Sequence, residues 1–446
     1  MKKKLTIAIT GGGLVGSLLA LYLSKRGHVV SVFERRPDMR KQIVDGGRSI
    51  NLALSNRGIS ALADVGLSEA VKHIAIPMHG RMVHPVKGSI NFQPYGKEGQ
   101  YINSISRSDL NMLLIDAAEN NGVTFYFEHR VIDVDLNTTT LSFQQRDSTS
   151  TKTFDAIVGA DGAFSAVRHA MQFTDRFNFS QSYIDHGYKE LLIPADDTGK
   201  PTLEQNALHI WPRESFMLIA LPNPDGSFTC TLFLPFEGEN SFDSLSSDQK
   251  IEPFFNTHFP DALKLMPQLL EIFRTNPTSS IVTMKCYPWV RNKTLLIGDS
   301  AHAIVPFYGQ GMNAGFEDCR ILNELLENSN DDWDQAITAF EKLRKVDADA
   351  IAELALNNFI EMRDLVADAD FILRKTIEAK LHELYPDRWI PLYSMVTFHD
   401  TIRYSEALDI GMQQKRIMDE VMQTPGIETT WQHLDFEQLV LRLQAT

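Results

Sequence analysis

Short apolar runs and helical stripes take turns along the first third of the chain. TIAIT (Thr6–Thr10) and VVSVF (Val29–Phe33) are short, wholly apolar or nearly so, and bounded by polar or glycine residues, which predicts buried strands; SLLALYLSK between them predicts a helix. A second helix follows in NRGISALADVG, so the opening reads as a βαβ unit. Two later stretches, 75–101 and 176–283, change to alternating apolar runs with hairpin signals such as Pro224-Asp225-Gly226, which predicts one antiparallel sheet assembled from two inserts. Strand-like FDAIVGADG and KTLLIGD resemble the opening strand in character, so the first domain is expected to be discontinuous, built from 1–74, 102–175 and 284–330, with 75–101 and 176–283 as the inserted domain. From about Asp331 the spacing of Trp333, Ile337 and Phe340, then Ile351 and Leu354, predicts a helical region over 331–446. The polar DSTSTKT (Asp147 to Thr153) reads as a hairpin turn.

Composition adds exclusions. The formal charge of −14, from 43 basic and 57 acidic residues, argues against nucleic acid or an anionic membrane as partner. Cys230, Cys286 and Cys319 match neither a metal spacing nor CxxC, which predicts reduced packing residues, no metal and a cytoplasmic setting. No apolar run approaches the ~20 residues of a membrane helix.

The first chemical motif is TIAITGGGLVG, where Gly11, Gly13 and Gly16 form GxGxxG directly after a strand, with Glu34 closing the next strand. The first glycine turns, the second lets backbone amides approach a pyrophosphate, and the third packs helix on sheet. Glu34 takes the ribose hydroxyls. This is a Rossmann-like dinucleotide site. Two more glycine–aspartate elements, GADGAFSAVR with Asp161 and GDSAHAIVPFYGQGMN with Asp299, exceed what a nicotinamide site needs and favour FAD. Gly309 to Asn313, including Gly311 and Met312, is expected to run beneath the flavin ring, where the start of a helix over Ala314 to Glu327 would steady negative charge at the ring edge. No second GxGxxG exists for NADPH, which fits a transient visit.

Together, GGGLVG, ADGAFSAVR and IGDSAHAIVPFYGQGMNAGFED resemble the single-component FAD-dependent aromatic hydroxylases. GRSINLALSNRG, GRMVHP with the following YG, NNFIEMRD and WIPLYSMVTFHDTIRY narrow the resemblance to the members that act on L-kynurenine, over nearly the whole chain up to about Tyr404. The resemblance implies an α/β fold: a Rossmann-like FAD domain, an inserted antiparallel β-sheet substrate domain and a C-terminal helical layer. It implies tightly held, non-covalent FAD, with NADPH and O2 as co-substrates, and hydroxylation ortho to the ring amine through a flavin C4a-hydroperoxide, a step of tryptophan catabolism. No side chain is then needed as acid or base.

By the same resemblance Arg81 and Tyr95 hold the substrate carboxylate and Asn358 and Tyr393 add substrate contacts. Ala53, Arg107 and Val131 become flavin neighbours, Pro306, Phe307 and Tyr308 line the ring's substrate side, and Val15 and Arg35 complete the cofactor set. Were Lys87-Gly88-Ser89 a three-residue hairpin loop, Arg81 would lie directly opposite Tyr95. Plainer readings stand beside these: a solvated Arg81 and a packing Tyr95, Asn358 satisfied by nearby backbone, Tyr393 in the core, Arg107 a surface charge, and His302 packed behind its loop. Animal members of the family end in a membrane anchor, whereas TTWQHLDFEQLVLRLQAT predicts a short amphipathic helix and a soluble enzyme. The alternatives are a related hydroxylase of another aromatic carboxylate, or a non-catalytic FAD sensor.

Overall fold

The structure is a computed structural model that describes residues 4–41, 51–97, 99–361 and 369–444. The start of GRSINLALSNRG and the end of NNFIEMRD lie outside the described residues.

The opening runs form a buried parallel sheet. β1 (Thr6–Thr10) pairs in parallel with β2 (Val29–Phe33) on one side and with the strand Ala156–Gly159 on the other, and Ala156–Gly159 pairs with Thr294–Leu296. Ile7, Ala8 and Ile9 are fully buried because helices cover both faces, which explains the lack of alternation in these strands. α1 (Leu14–Lys25) packs on the sheet, and its Tyr22 hydroxyl donates to Ala61 O at 2.7 Å, tying it to α2 (Asn56–Asp64). α3 (Arg107–Asn120) starts from Ser106, whose hydroxyl accepts from the Asp109 amide. The register has a direct consequence for the site: Thr10 lies beside Gly159, and Gly159 beside Leu296. The three glycine elements, distant in sequence, therefore leave one sheet at neighbouring carboxyl ends, where ligands of open parallel sheets bind.

The two inserts meet in a seven-stranded sheet. Its one edge is β3 (Gly80–Val83) with β4 (Asn91–Pro94), followed by β5 (Ala207–Arg213) and the strands Phe216–Pro222, Phe228–Pro235, Asn178–Ile193 and Ser279–Tyr287. All neighbours are antiparallel except β3 and β5, which run parallel, as strands not joined by a hairpin are free to do. Gly226 sits at φ 84° in the Pro224-Asp225-Gly226 turn, and Asp225 accepts from the Ser227 amide there. The strand Ala75–Met78 belongs instead to a small sheet with Ile102–Ser106 and Asn51–Leu54.

One expectation is overturned. Ser148–Thr153 of DSTSTKT is a strand, paired residue for residue with Thr140–Gln145, and the reversal lies at Arg146-Asp147. Every residue of it is exposed, so the strand carries no apolar alternation, and its repeated threonines supply the β preference instead.

Beyond residue 331 the chain is helical, beginning with α5 (Trp333–Ile360), preceded by α4 (Gly311–Asn328) and followed after an intervening helix by α6 (Leu392–Phe398) and α7 (Tyr404–Met422). The final helix, Phe436–Gln444, buries Leu439 and Val440 in a small core with Trp389, Ile417 and Met418. Among the described residues no helix is long and apolar enough to cross a membrane.

Candidate active site

At the carboxyl ends of the parallel sheet lies a cavity of about 450 Å³, reaching from Gly13 to Tyr393. Its first end is main chain. Gly11 has φ 95°, and a Cβ there would meet Ala160 O at 2.4 Å; one on Gly16 would meet Gly11 O at 2.0 Å. Those two glycines let turn, strand and helix touch. Gly13 and Gly162 have nothing within 4 Å of a Cβ position and both line the cavity, so here the missing side chain leaves room for something that is not protein.

Glu34 is buried, and its Oε2 accepts from the Gly12 amide at 2.9 Å while Arg36 Nε binds Oε1 at 2.9 Å. Burial pushes its carboxyl up, but Arg36 and the Gly12 amide together hold it below the usual carboxylate range. Glu34 buttresses the turn and does not line the cavity. Arg35, expected in the cofactor set, is exposed and does not line the cavity; its neighbour Arg36 is the one that pairs with Glu34.

The second glycine loop closes the crevice. A Cβ on Gly315 would meet Val15 Cγ2 at 2.6 Å, so α4 and α1 approach backbone to side chain. Gly309, at φ 65°, faces Ala53. α4 starts at Gly311, three residues before the expected start, and its N-cap, Gln310, makes no side-chain capping bond; Gly311 and Met312 line the cavity, so an uncapped helix start points there. Asn313 does not line it. Its Nδ2 donates to Ala53 O and Gly309 O at 2.8 Å each, and its Oδ1 accepts from the Ser55 amide at 2.9 Å, fixing the loop from behind.

Asp299 is exposed to the cavity and makes no hydrogen bond or ion pair among the described residues. Desolvation raises its carboxyl above the ordinary range, opposed by the Arg107 charge. Arg107, on the first turn of α3, lines the same end. Asp161 is turned into the protein, where Oδ2 accepts from the Ala166 amide at 2.7 Å and Oδ1 from Ser300 Oγ at 3.2 Å. Val131 lies opposite Phe143 in a separate sheet, away from the cavity. The expected residues that do line this end, Gly13, Val15, Ala53, Arg107, Asp299, Gly309, Gly311 and Met312, suit FAD: bare backbone for phosphates and ring, a free acceptor for hydroxyls, and an uncapped helix start for an anionic ring edge.

The far end is built from side chains. The register corrects the expected hairpin: Arg81 pairs with Gln93, and the last pair is Val83 with Asn91, so the loop is longer than Lys87-Gly88-Ser89. Tyr95 lies two residues past Gln93, hence still on the Arg81 side. The guanidinium carbon of Arg81 is 5.4 Å from the Tyr95 ring centre and 5.1 Å from that of Tyr393. Tyr393 stacks between Tyr95 and Tyr308, 5.6 Å from each and tilted by 15° and 16°. Burial pushes the Tyr95 and Tyr308 phenols up, so both are neutral donors. Arg81 forms no ion pair among the described residues, and its Nε and the Tyr95 hydroxyl are buried without a hydrogen-bond partner. A partly desolvated cation that opens into a cavity without a counter-ion marks this corner as a place for an anion.

Between the two ends the wall is apolar, with Leu208, Met217, Ile219, Phe233 and Phe307. Asn358 stays behind it: its Nδ2 donates to Phe307 O at 2.7 Å, while Phe307 stacks on Phe359 at 4.2 Å. His302 packs behind the loop, Nε2 to Asp318 Oδ2 at 2.6 Å. Among the described residues no histidine lines the cavity, which leaves arginines, Asp299 and tyrosines as its ionisable groups.

A crevice of this kind, glycine-lined where strands end and aromatic where the second sheet closes it, defines an FAD-dependent monooxygenase. Residues 4–335 match the family described as FAD binding domain. A crystal structure of a mutant 2-methyl-3-hydroxypyridine-5-carboxylic acid oxygenase shares the fold, with TM-score 0.69 over 87% of this chain and 99% of that one at 21% identity. Kynurenine 3-monooxygenase of Flavobacterium johnsoniae is 53% identical over 99% of both chains, and that of Flavobacterium psychrophilum 52% identical over 99% of both. The chain belongs to the family of these kynurenine 3-monooxygenases.

Proposed function

We propose that this enzyme hydroxylates L-kynurenine to 3-hydroxykynurenine, using FAD with NADPH and O2. The observation that carries the reading is Arg81, a half-buried cation whose enclosed Nε has no hydrogen-bond partner and which has no acidic partner among the described residues, beside the Tyr95–Tyr393–Tyr308 stack and at the opposite end of an apolar cavity from the glycine cradle.

Bound FAD would supply the redox chemistry, hydride uptake from NADPH and activation of O2 for transfer of one oxygen atom to the substrate ring. The protein's residues position and exclude. Arg81 and the Tyr95 and Tyr393 hydroxyls take the amino-acid carboxylate, which offsets the cost of the partly desolvated guanidinium. Phe307, Tyr308, Pro306 and the sheet residues Met217, Ile219 and Phe233 hold the aromatic ring and keep water out. Asp299 would accept hydroxyls of the cofactor chain, Arg107 and the backbone at Gly13 would hold its phosphates, and the α4 start would steady negative charge on its ring. Asn358 acts through the Phe307 carbonyl. Glu34, Gly11, Gly16, Asp161 and Asn313 shape the cradle from behind. The FAD domain comprises 1–74, 102–175 and 284–330, the substrate domain 75–101 and 176–283 apart from the strand Ala75–Met78, which pairs with Ile102–Ser106 of the FAD domain, and the helical region 331–446. Its three cysteines, all buried and unpaired, suit the reducing cytoplasm.

The test is NADPH oxidation by the purified yellow protein with L-kynurenine against 4-hydroxybenzoate, with product identified by chromatography. Stimulation by kynurenine with 3-hydroxykynurenine formed is expected; stimulation by the hydroxybenzoate alone refutes the substrate.

A further inference from the structure

Behind the cavity lies a constellation for which the reaction itself has no use. Arg57, the second residue of α2, is 1% exposed. Its Nε donates to Val396 O at 3.1 Å, and one terminal nitrogen to His399 O at 3.2 Å and to Ile402 O. The other terminal nitrogen reaches Glu317 Oε1 on α4 at 2.5 Å, and the Tyr404 ring centre lies 4.0 Å from the guanidinium carbon. The three carbonyls belong to one short stretch, the end of α6 and the turn into α7. Neighbours of Arg57 grip that same stretch: Asn56 Nδ2 donates to Phe398 O at 2.8 Å and Ser60 Oγ to Asp400 Oδ2 at 2.6 Å.

Both partners of this arginine lead to the cavity. α6 carries Tyr393 into it, and α4 presents Gly311 and Met312 to it. Tyr404 adds a second tie, donating to Gln310 Oε1 at 2.9 Å, at the N-cap of α4. α6 is only seven residues long and has no side-chain cap at Pro391, so its own propensity cannot hold it. Gln414 holds the approach to the amino end of α6 through Ile390 O at 2.8 Å, and the grip on its carboxyl end fixes the other end of the short helix that carries Tyr393.

We propose that Arg57 is a positioning residue, the rivet that fixes α6, and with it Tyr393 and one wall of the substrate corner, to the flavin-side helix α4. The inference rests on the reading of the cavity given under Proposed function. Only a planar fork serves several carbonyls and a carboxylate at once; an ammonium keeps the charge and loses the fan of bonds.

Arg57→Lys keeps a cation opposite Glu317 and is expected to keep its full complement of FAD, to raise KM for L-kynurenine by about 10-fold with kcat within about 3-fold, and to divert more NADPH electrons to H2O2. Placed on Tyr393→Phe, it should raise KM by less than about 2-fold more, since both changes act through one contact. Amide exchange over 392–402, measured with no substrate present, should speed by about 10-fold or more while β1 is unchanged. If Arg57→Lys loses flavin, the charge-neutral pair Arg57→Met with Glu317→Gln provides the same readouts. A lower Tm with KM, peroxide share and 392–402 exchange all unaltered overturns the proposal, as do additive KM effects with Tyr393→Phe. Faster exchange in an enzyme that ignores kynurenine leaves the rivet in place and removes the substrate.

Discussion

The two ends of the cavity are made in opposite ways. The flavin end is main chain, shaped by glycines whose missing Cβ atoms either let backbone touch backbone or leave space open. The substrate end is side chain, with Arg81, Tyr95, Tyr308 and Tyr393 delivered from a sheet edge, a loop and a distant helix. The contrast teaches how tolerant each end is. Where an added Cβ would come within 2 to 3 Å of main chain there is no freedom to give, so the cradle fails as a unit. Side chains can be trimmed one by one, and the substrate end should fail by degrees.

The sharpest break lies within the cradle itself. Gly16→Ala would put a methyl 2.0 Å from Gly11 O, and should cost about 4 kcal/mol or more and leave protein without bound flavin, read from the absorbance ratio and Tm. Gly13→Ala has nothing within 4 Å to strike, so its Tm without cofactor should stay within about 2 °C of the parent while FAD binds about 10-fold more weakly. Undiminished FAD affinity in Gly13→Ala would mean that the cofactor does not lie where this cradle is open.

At the other end Arg81→Ala should keep flavin and raise KM for kynurenine by about 100-fold, near 3 kcal/mol, with an unchanged KM refuting the carboxylate role. Tyr393→Phe keeps the ring stack and removes one hydroxyl, so a rise of about 10-fold is expected in the same assay. The smallest effect concerns Asp299. Its folded-state carboxyl is raised by burial, so its contribution favours the fold at low pH and is lost as pH rises through that raised value. Asp299→Asn should therefore melt slightly higher than the parent at pH 7 in the cofactor-free protein, the difference being small because solvent in the cavity screens the carboxylate, with the gap closing towards the ordinary carboxylate range near pH 4; a gap independent of pH would contradict the raised carboxyl.

Legibility followed the same division. GxGxxG, Glu34 and the two glycine–aspartate elements could be read in sequence because a close backbone approach demands glycine, and glycine is visible by itself. What those residues touch could not be read. Glu34 and Asp161 are spent on protein partners, Asn313 staples its own loop, and Val131 lies elsewhere. The hairpin was anticipated on the correct face and in the wrong register, because parity survives a shift of two residues while the pairing does not. The strand Ser148–Thr153 was hidden because exposure on both sides erases the pattern that announces strands. Arg57, Glu317, Asp318 and Arg344 form a buried ionic network that passed unnoticed, although paired charges such as Glu317-Asp318 inside an apolar helix were a usable signal.

The amino-acid sequence alone determined the parallel sheet, the places where it must be glycine, and the family to which the chain belongs, since each depends on local periodicity or on a backbone that cannot carry a side chain. Tertiary structure alone decided which polar groups face the cavity and which serve the frame, and that Arg81 remains without an acidic partner among the described residues. Partners from sequence positions as far apart as Arg57 and Ile402 meet only when the chain closes, because long-range contacts are set by packing of whole elements and leave no periodic trace in the segments that make them.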